Sequence, residues 1–262
     1  MRSRREGRRF IVAGVALALP TAGCSSSEPL LTVEGAAFAP SLSGKVGLST
    51  TITTDVDTIG LSSDLGLGGT EVVPYLRGEA VAGGFDLAVS GFHTSQSGHG
   101  TVTADFGNIT AGTNVNTDLD LWLAHGHVAW NFVETQWIDV GAGLGADYVD
   151  FKLDAEDPTF ALRESVAVRQ FVPLVEARTS VRLPVVPLDL ELSLGAITGT
   201  VDQIDGTVID AEALLHARIA GPLALFAGYR YVHFDIKGSS SSQSFDGDVE
   251  LSGFMVGASL RF

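Results

Sequence analysis

Residues 253–262 read GFMVGASLRF. Phe254, Val256, Ala258, Leu260 and Phe262 alternate with Gly253, Met255, Gly257, Ser259 and Arg261. A β-strand turns successive side chains to opposite faces, so this stretch has one apolar face and one small or polar face. Two architectures use such a strand. A β-sandwich packs the apolar face into a core and leaves the polar face in water. A membrane barrel turns the apolar face to lipid and the polar face to its interior. Alternation alone does not separate the two; the rest of the chain does.

The other end of the sequence carries an export signal. MRSRREGRR places five arginines before FIVAGVALALPTAG, which covers residues 10–23. A positive segment followed by a short apolar one has the form of a secretory signal. The apolar run is too short to favour a spanning helix. Residues 21–24, TAGC, resemble a bacterial lipobox, with Thr21 in place of the usual leucine. On this reading residues 1–23 are a signal peptide, Cys24 is the acylated first residue of the mature chain, and residues 24–42 are a tether. The alternative is ordinary cleavage nearby and a cysteine without a role. Palmitate labelling is expected in the wild type and not in Cys24→Ala, with barrel assembly unchanged in both. Label retained by Cys24→Ala would overturn the assignment. Cys24 is the only cysteine, so the chain forms no intramolecular disulfide.

The full chain has 16 Lys+Arg against 31 Asp+Glu; without residues 1–23, five arginines and Glu6 are lost and the net charge becomes −19. Such a balance argues against nucleic acid as a partner. The chain is 45% hydrophobic with a mean hydropathy of +0.26. Yet no run of eighteen apolar residues follows the signal, as a spanning helix would require. The other bilayer-spanning structure is a closed β-barrel, whose apolar residues are diluted by alternation.

Ten alternating segments occupy residues 43–262. The first, near 44–52, sets Val46, Leu48 and Ile52 against Lys45, Ser49 and Thr51. The second sets Pro74, Leu76 and Ala80 against Tyr75, Arg77 and Glu79; the third sets Phe85, Leu87 and Val89 against Asp86, Ala88 and Ser90. In the fourth, Trp122, Val128 and Trp130 oppose Leu121, Leu123, His125 and His127. Eight residues between the tryptophans span roughly 20 Å of height in a tilted strand, the separation of two aromatic girdles. The Trp face is therefore assigned to lipid. The fifth sets Ile138, Leu144 and Tyr148 against Asp139, three glycines and Asp147. The sixth to ninth turn Glu176, Arg178, Arg182, Asp189, Glu191, Asp210, Glu212, His216, Arg218 and Arg230 away from their apolar faces. Residues 253–262 are the tenth.

Links after even-numbered segments are short: VAGG, FVETQ, PVVP and AGP. Links after odd-numbered ones are mostly longer, near 54–70, 94–116, 153–170, 200–207 and 237–247. Short turns on one side and long loops on the other are the pattern of outer-membrane barrels. The expectation is an all-β, antiparallel up-and-down barrel of ten strands, with eight as the alternative and both termini on the short-turn, periplasmic side. The inward charges are expected to close the lumen by ion pairing. The competing reading is a water-filled path.

GASLRF resembles the C-terminal signal read by the outer-membrane assembly machinery of Gram-negative bacteria, carried here by Phe254, Val256, Leu260 and Phe262. LFAGYRYVHFDIKG (225–238) and VGAGLGADYVDFKL (140–153) are similar to small OmpA/OmpW-like barrels. The resemblance implies an outer-membrane location, with membrane lipid and lipopolysaccharide as surroundings, and a structural, envelope-stabilising or narrow-channel role. The lipobox and the ten strands depart from that family, whose barrels have eight. The oligomeric state stays open.

Three Asp-x-Asp pairs, Asp55/Asp57, Asp118/Asp120 and Asp246/Asp248, lack an EF-hand's glycine and terminal glutamate and read as solvated loops. No metal or cofactor is expected. No Gly-x-Ser-x-Gly, phosphate loop or zinc spacing appears. An enzyme is the rival class. An omptin-like protease would use His233 with Asp147 or Asp150 at the rim. A lipid A-modifying enzyme would use a lipid-facing histidine, His125 or His216, with a serine. No catalytic residue is assigned.

Overall fold

The computed structural model describes residues 30–50, 56–201, 204–240 and 243–262. The expected signal segment and Cys24 lie outside the described residues. Eleven strands follow in order: β1 (Leu31–Ser49), β2 (Ile59–Gly60), β3 (Val73–Ala82), β4 (Phe85–Thr101), β5 (Asn114–Glu134), β6 (Ile138–Glu156), β7 (Arg163–Arg182), β8 (Leu188–Val201), β9 (Ile204–Ala220), β10 (Leu223–Ser240) and β11 (Gln243–Arg261). Ten are long and pair antiparallel with their neighbours; β11 returns to β1 from Thr32↔Arg261 to Ser49↔Ser244. That seam joins the last strand to the first, so the backbone groups along it are paired. Leu31 and Phe262 exchange backbone hydrogen bonds of 3.2 and 2.8 Å across it. The ten-stranded barrel is the expected architecture. The two-residue β2 pairs with Lys45 and Val46, above the point where β3 leaves β1.

The side-chain faces of most strands are as expected. Leu76, Leu87, Val89, Trp122, Trp130, Leu144, Leu192, Leu225, Phe254 and Val256 are exposed on the outer face, and their alternates are buried inside. Toward the other end the alternation inverts. On β5, His125 and His127 face in while Val128 and Trp130 face out. From Asn114 to Leu123, Val115, Leu119, Leu121 and Leu123 face in while Asn114, Asn116, Asp118 and Asp120 face out. One strand thus belongs to two solvents, apolar-out below and polar-out above. At about 3.3 Å per residue and about 40° of tilt, a strand of 21 residues rises about 50 Å. An apolar band is about 25 Å tall, so half of the barrel stands beyond it.

This inversion accounts for where expectation and structure differ. The strand expected near 44–52 begins at Leu31, inside the stretch read as tether, and Val46 and Leu48 are buried inside rather than turned outward. Much of the expected long links is strand: β4 runs to Thr101, β6 to Glu156, and β7 starts at Arg163. Their polar outer faces give them the composition of loops. Of the segments that remain, 56–72 and 102–113 fold over this loop end. Ile59, Leu61, Leu65, Val102, Phe106 and Ile109 are almost fully buried there. Asp64 holds the two together, accepting from the Gly60 N–H at 2.7 Å and from Thr103 Oγ1 at 2.9 Å.

Candidate functional site

The lumen has two layers. The layer near the short turns is polar and crowded. Strand alternation aims Glu34, Arg77, Glu79, Arg178, Glu191 and Glu212 from β1, β3, β7, β8 and β9 at one another. Arg77 lies 3.1 Å from Glu34, 2.6 Å from Glu79, 3.0 Å from Glu191 and 3.8 Å from Glu212. Arg178 pairs with Glu79 and Asp86. His216 Nε2 sits 2.7 Å from Glu34 Oε1, and Tyr75 donates to Glu212 at 2.6 Å. Arg230 forks onto Asp210, donates to Ser90 at 3.2 Å and covers the Phe92 ring at 5.9 Å. Charges so buried persist only when paired and hydrogen-bonded.

Most of the sequence-predicted network is therefore assembled. Arg182 pairs with Asp139, and Asp189 accepts from Arg218 at 3.0 Å, although Arg218 is half exposed at the turn end. Glu176 stands apart, beside His125. Two members were missed. Arg261 bonds Asp189 at 2.7 Å and Glu191 at 3.2 Å. Glu34 lay in the stretch read as tether; its signal was the alternation of Thr32 and Glu34 with Leu31, Val33 and Gly35.

Above this layer the lumen turns apolar. Leu42, Leu121, Leu123, Val149, Val166, Val172, Phe234 and Leu251 surround a chamber of about 90 Å³. Its wall is incomplete on one side. β7 and β8 pair from Arg182↔Asp189 to Val175↔Ala196 and no further among the described residues. Above that level, Arg163–Leu174 pairs only with β6, and Ile197–Val201 only with β9. Pro173, which has no N–H to give a ladder, stands where the pairing stops. The hydrogen-bonded wall is therefore interrupted beside Val172, with Phe171, 69% exposed, on its outer side.

No family model matches the chain, and no curated protein matches it. Solved structures do. The outer membrane protease OmpT from Escherichia coli is similar at a TM-score of 0.56 and 8% identity, over 88% of this chain and 97% of that one. The transport unit of the Escherichia coli autotransporter AIDA-I scores 0.39 at 13% identity, over 93% of each chain. The Pseudomonas putida toluene transporter TodX scores 0.34 at 8% identity, over 90% of this chain and 92% of that one. The fold is that of an outer-membrane β-barrel. At such identities the likeness concerns the fold alone.

In such a barrel the exposed apolar belt meets lipid. Trp122, Tyr148 and Phe171 ring its loop-side edge, and Phe85, Trp130 and Phe132 its turn-side edge; Tyr148 and Phe171 lie 4.9 Å apart, Trp130 and Phe132 6.3 Å. The rim residues of the protease alternative are not brought together. Asp147 is buried at 2.8 Å from His125, whereas His233 faces Asp248 at 3.8 Å. His125 and His216 point into the lumen rather than to lipid. Asp118 accepts from Ser97 at 2.7 Å, Asp120 lies 3.0 Å from His93, and Asp246 pairs with Lys237 at 3.0 Å. Asp55 lies outside the described residues.

Proposed function

We propose that the protein is a non-enzymatic outer-membrane barrel that binds small apolar molecules in its upper chamber and does not conduct ions. The observation that carries this reading is the stacking of an apolar chamber, beside a wall left unpaired between β7 and β8, on a charged layer in the lumen below. An apolar cavity of about 150 Å³ stays dry and accepts benzene. The 90 Å³ chamber suits a small aromatic ring or the end of an alkyl chain. The interrupted pairing offers such a molecule a path along the lipid-facing wall, with no crossing of the polar outer surface.

The short turns and both strand termini face the periplasm in this reading, and the polar upper barrel faces outside. Lipid and lipopolysaccharide surround the belt, and the assembly machinery reads residues 254–262. The separation of His233 from Asp147 supports a binding role over a rim protease.

Refolded protein in planar bilayers is expected to show no single-channel steps. Fluorobenzene, followed by ¹⁹F NMR in detergent, is expected to bind saturably. Val149→Trp puts an indole in the chamber and should weaken binding at least tenfold; Leu192→Trp on the outer face should not change it. Steady conductance would restore the narrow-channel role, and binding indifferent to Val149→Trp would remove the chamber as the site.

A further inference from the structure

The segment AHGHV, residues 124–128, places His125 and His127 two apart on β5, so both rings enter the lumen. They lie just below the apolar chamber, among carboxylates from four other strands. His125 Nδ1 is 2.8 Å from Asp147 Oδ1, and His127 Nε2 is 3.4 Å from Asp86 Oδ1. The remaining ring nitrogens face each other, His125 Nε2 to His127 Nδ1 at 3.2 Å. Glu176 Oε1 completes a triangle at 3.7 Å from His125 Nε2. That oxygen has no hydrogen-bond partner, and Glu176 is only 2% exposed.

Proton counting makes this arrangement informative. A neutral imidazole has one N–H, and an ionised carboxylate only accepts. His125 Nδ1, hydrogen-bonded to Asp147, therefore carries its ring's hydrogen and leaves Nε2 a lone pair, whereas His127 Nε2, 3.4 Å from Asp86, makes no hydrogen bond to it. His125 Nε2, His127 Nδ1 and Glu176 Oε1 all lie within 4.8 Å of one another, and Glu176 Oε1 and His127 Nε2 have no hydrogen-bond partner. Buried polar atoms left in that state cost free energy. Charge tells the same story. Asp86 and Asp210 are paired with Arg178 and Arg230, whereas the ion-pair partner of Asp147 and of Glu176 is a histidine.

We propose that His125 Nε2, His127 Nδ1 and Glu176 Oε1 bind one divalent transition-metal ion of the zinc class. Zinc bonds of 2.0–2.2 Å to nitrogen and oxygen set tetrahedral ligand–ligand edges of about 3.3 Å, close to the 3.2 and 3.7 Å found. Asp147 takes the place of the outer carboxylate that orients a metal-bound histidine. The adjoining cavity, about 10 Å³ beside Ser90 and Ser193, has room for one water as the fourth ligand. Glu176 reaches inward only because Gly145 and Gly195 flank it. A Cβ on either would lie 2.5 or 2.2 Å from its Oε1.

The full chain, refolded in detergent and stripped with chelator, is dialysed against Zn²⁺ or Co²⁺. The expected result is one tightly held zinc per chain and the intense visible bands of tetrahedral cobalt. His127→Gln and Glu176→Gln should each weaken Zn²⁺ binding at least tenfold. Asp147→Asn, which keeps all three ligands, should weaken it by about 10–100-fold. The surface double variant His93→Ala/His99→Ala should bind as the wild type does. Heat-dependent gel mobility identifies the variants that have folded. If His127→Gln does not fold, Asp147→Asn carries the test, and unchanged affinity there counts against the site. Zinc uptake no greater than that of His125→Ala/His127→Ala would overturn the proposal and leave a shared proton as what joins the two rings.

Discussion

Arg77→Ala is expected to destabilise the barrel by about 3–5 kcal/mol, the cost of leaving a buried charge without its partner. Arg77 stands within 4 Å of Glu34, Glu79, Glu191 and Glu212 and is itself nearly inaccessible to solvent. Without the guanidinium those four carboxylates, all largely buried, face one another without their shared cation. Leu192→Ala on the outer face loses only the transfer of its methyl and methylene groups into lipid, about 2 kcal/mol. Equilibrium unfolding in urea with lipid vesicles compares the two. Adding Glu34→Gln to Arg77→Ala should recover part of the loss, because it removes one of the stranded charges. An Arg77→Ala effect no larger than that of Leu192→Ala would show a hydrated, open lumen, and the ion-tight reading would go with it.

Deleting residues 31–38 is expected to abolish the folded barrel altogether. Read as tether, this segment is dispensable. In the structure it supplies every β1 pairing with β3, from Leu31↔Ala80 to Phe38↔Val73, and much of the closing seam with β11. Its loss opens two sheet edges within the belt, where each unpaired backbone group costs several kcal/mol. It also removes Glu34 from Arg77 and His216, and Phe38 from its edge contact with Phe92, at 5.0 Å between ring centroids. The check is heat-dependent mobility of outer-membrane fractions, with deletion of residues 25–29 as the control that should fold normally. Folded material from the 31–38 deletion would restore the tether.

The lower barrel was legible because lipid and lumen impose opposite demands on alternate residues. Leu188, Leu190, Leu192 and Leu194 against Asp189, Glu191 and Ser193 could be read directly. So could Phe254 to Phe262. The upper barrel was not legible in the same way. There Leu119, Leu121 and Leu123 face inward and Asp118 and Asp120 outward, the arrangement of a soluble barrel. A period of two has the same form in both cases and carries no label for which side is wet. β1 crosses from one regime to the other within GAAFAP, residues 35–40, where small residues blur the alternation, and its start was lost for that reason.

The histidine cluster shows the same limit for a site. His125 and His127 were read as inward-facing neighbours, and no metal was expected because no local spacing named one. The third ligand of the proposed site, Glu176, comes from β7, and the neighbouring carboxylates from β4 and β6; strand register alone brings them together.

By itself, then, the sequence determined the class of fold, the strand number, the outward belt and most of the charges that fill the lower lumen. Each follows from local periodicity and from what a bilayer permits. Only the tertiary structure decided where the belt ends, that the chamber above it is apolar, that the pairing stops partway between β7 and β8, and which charges meet. Those depend on register and on strand length relative to neighbouring strands, and both are set by pairing between residues far apart in the chain.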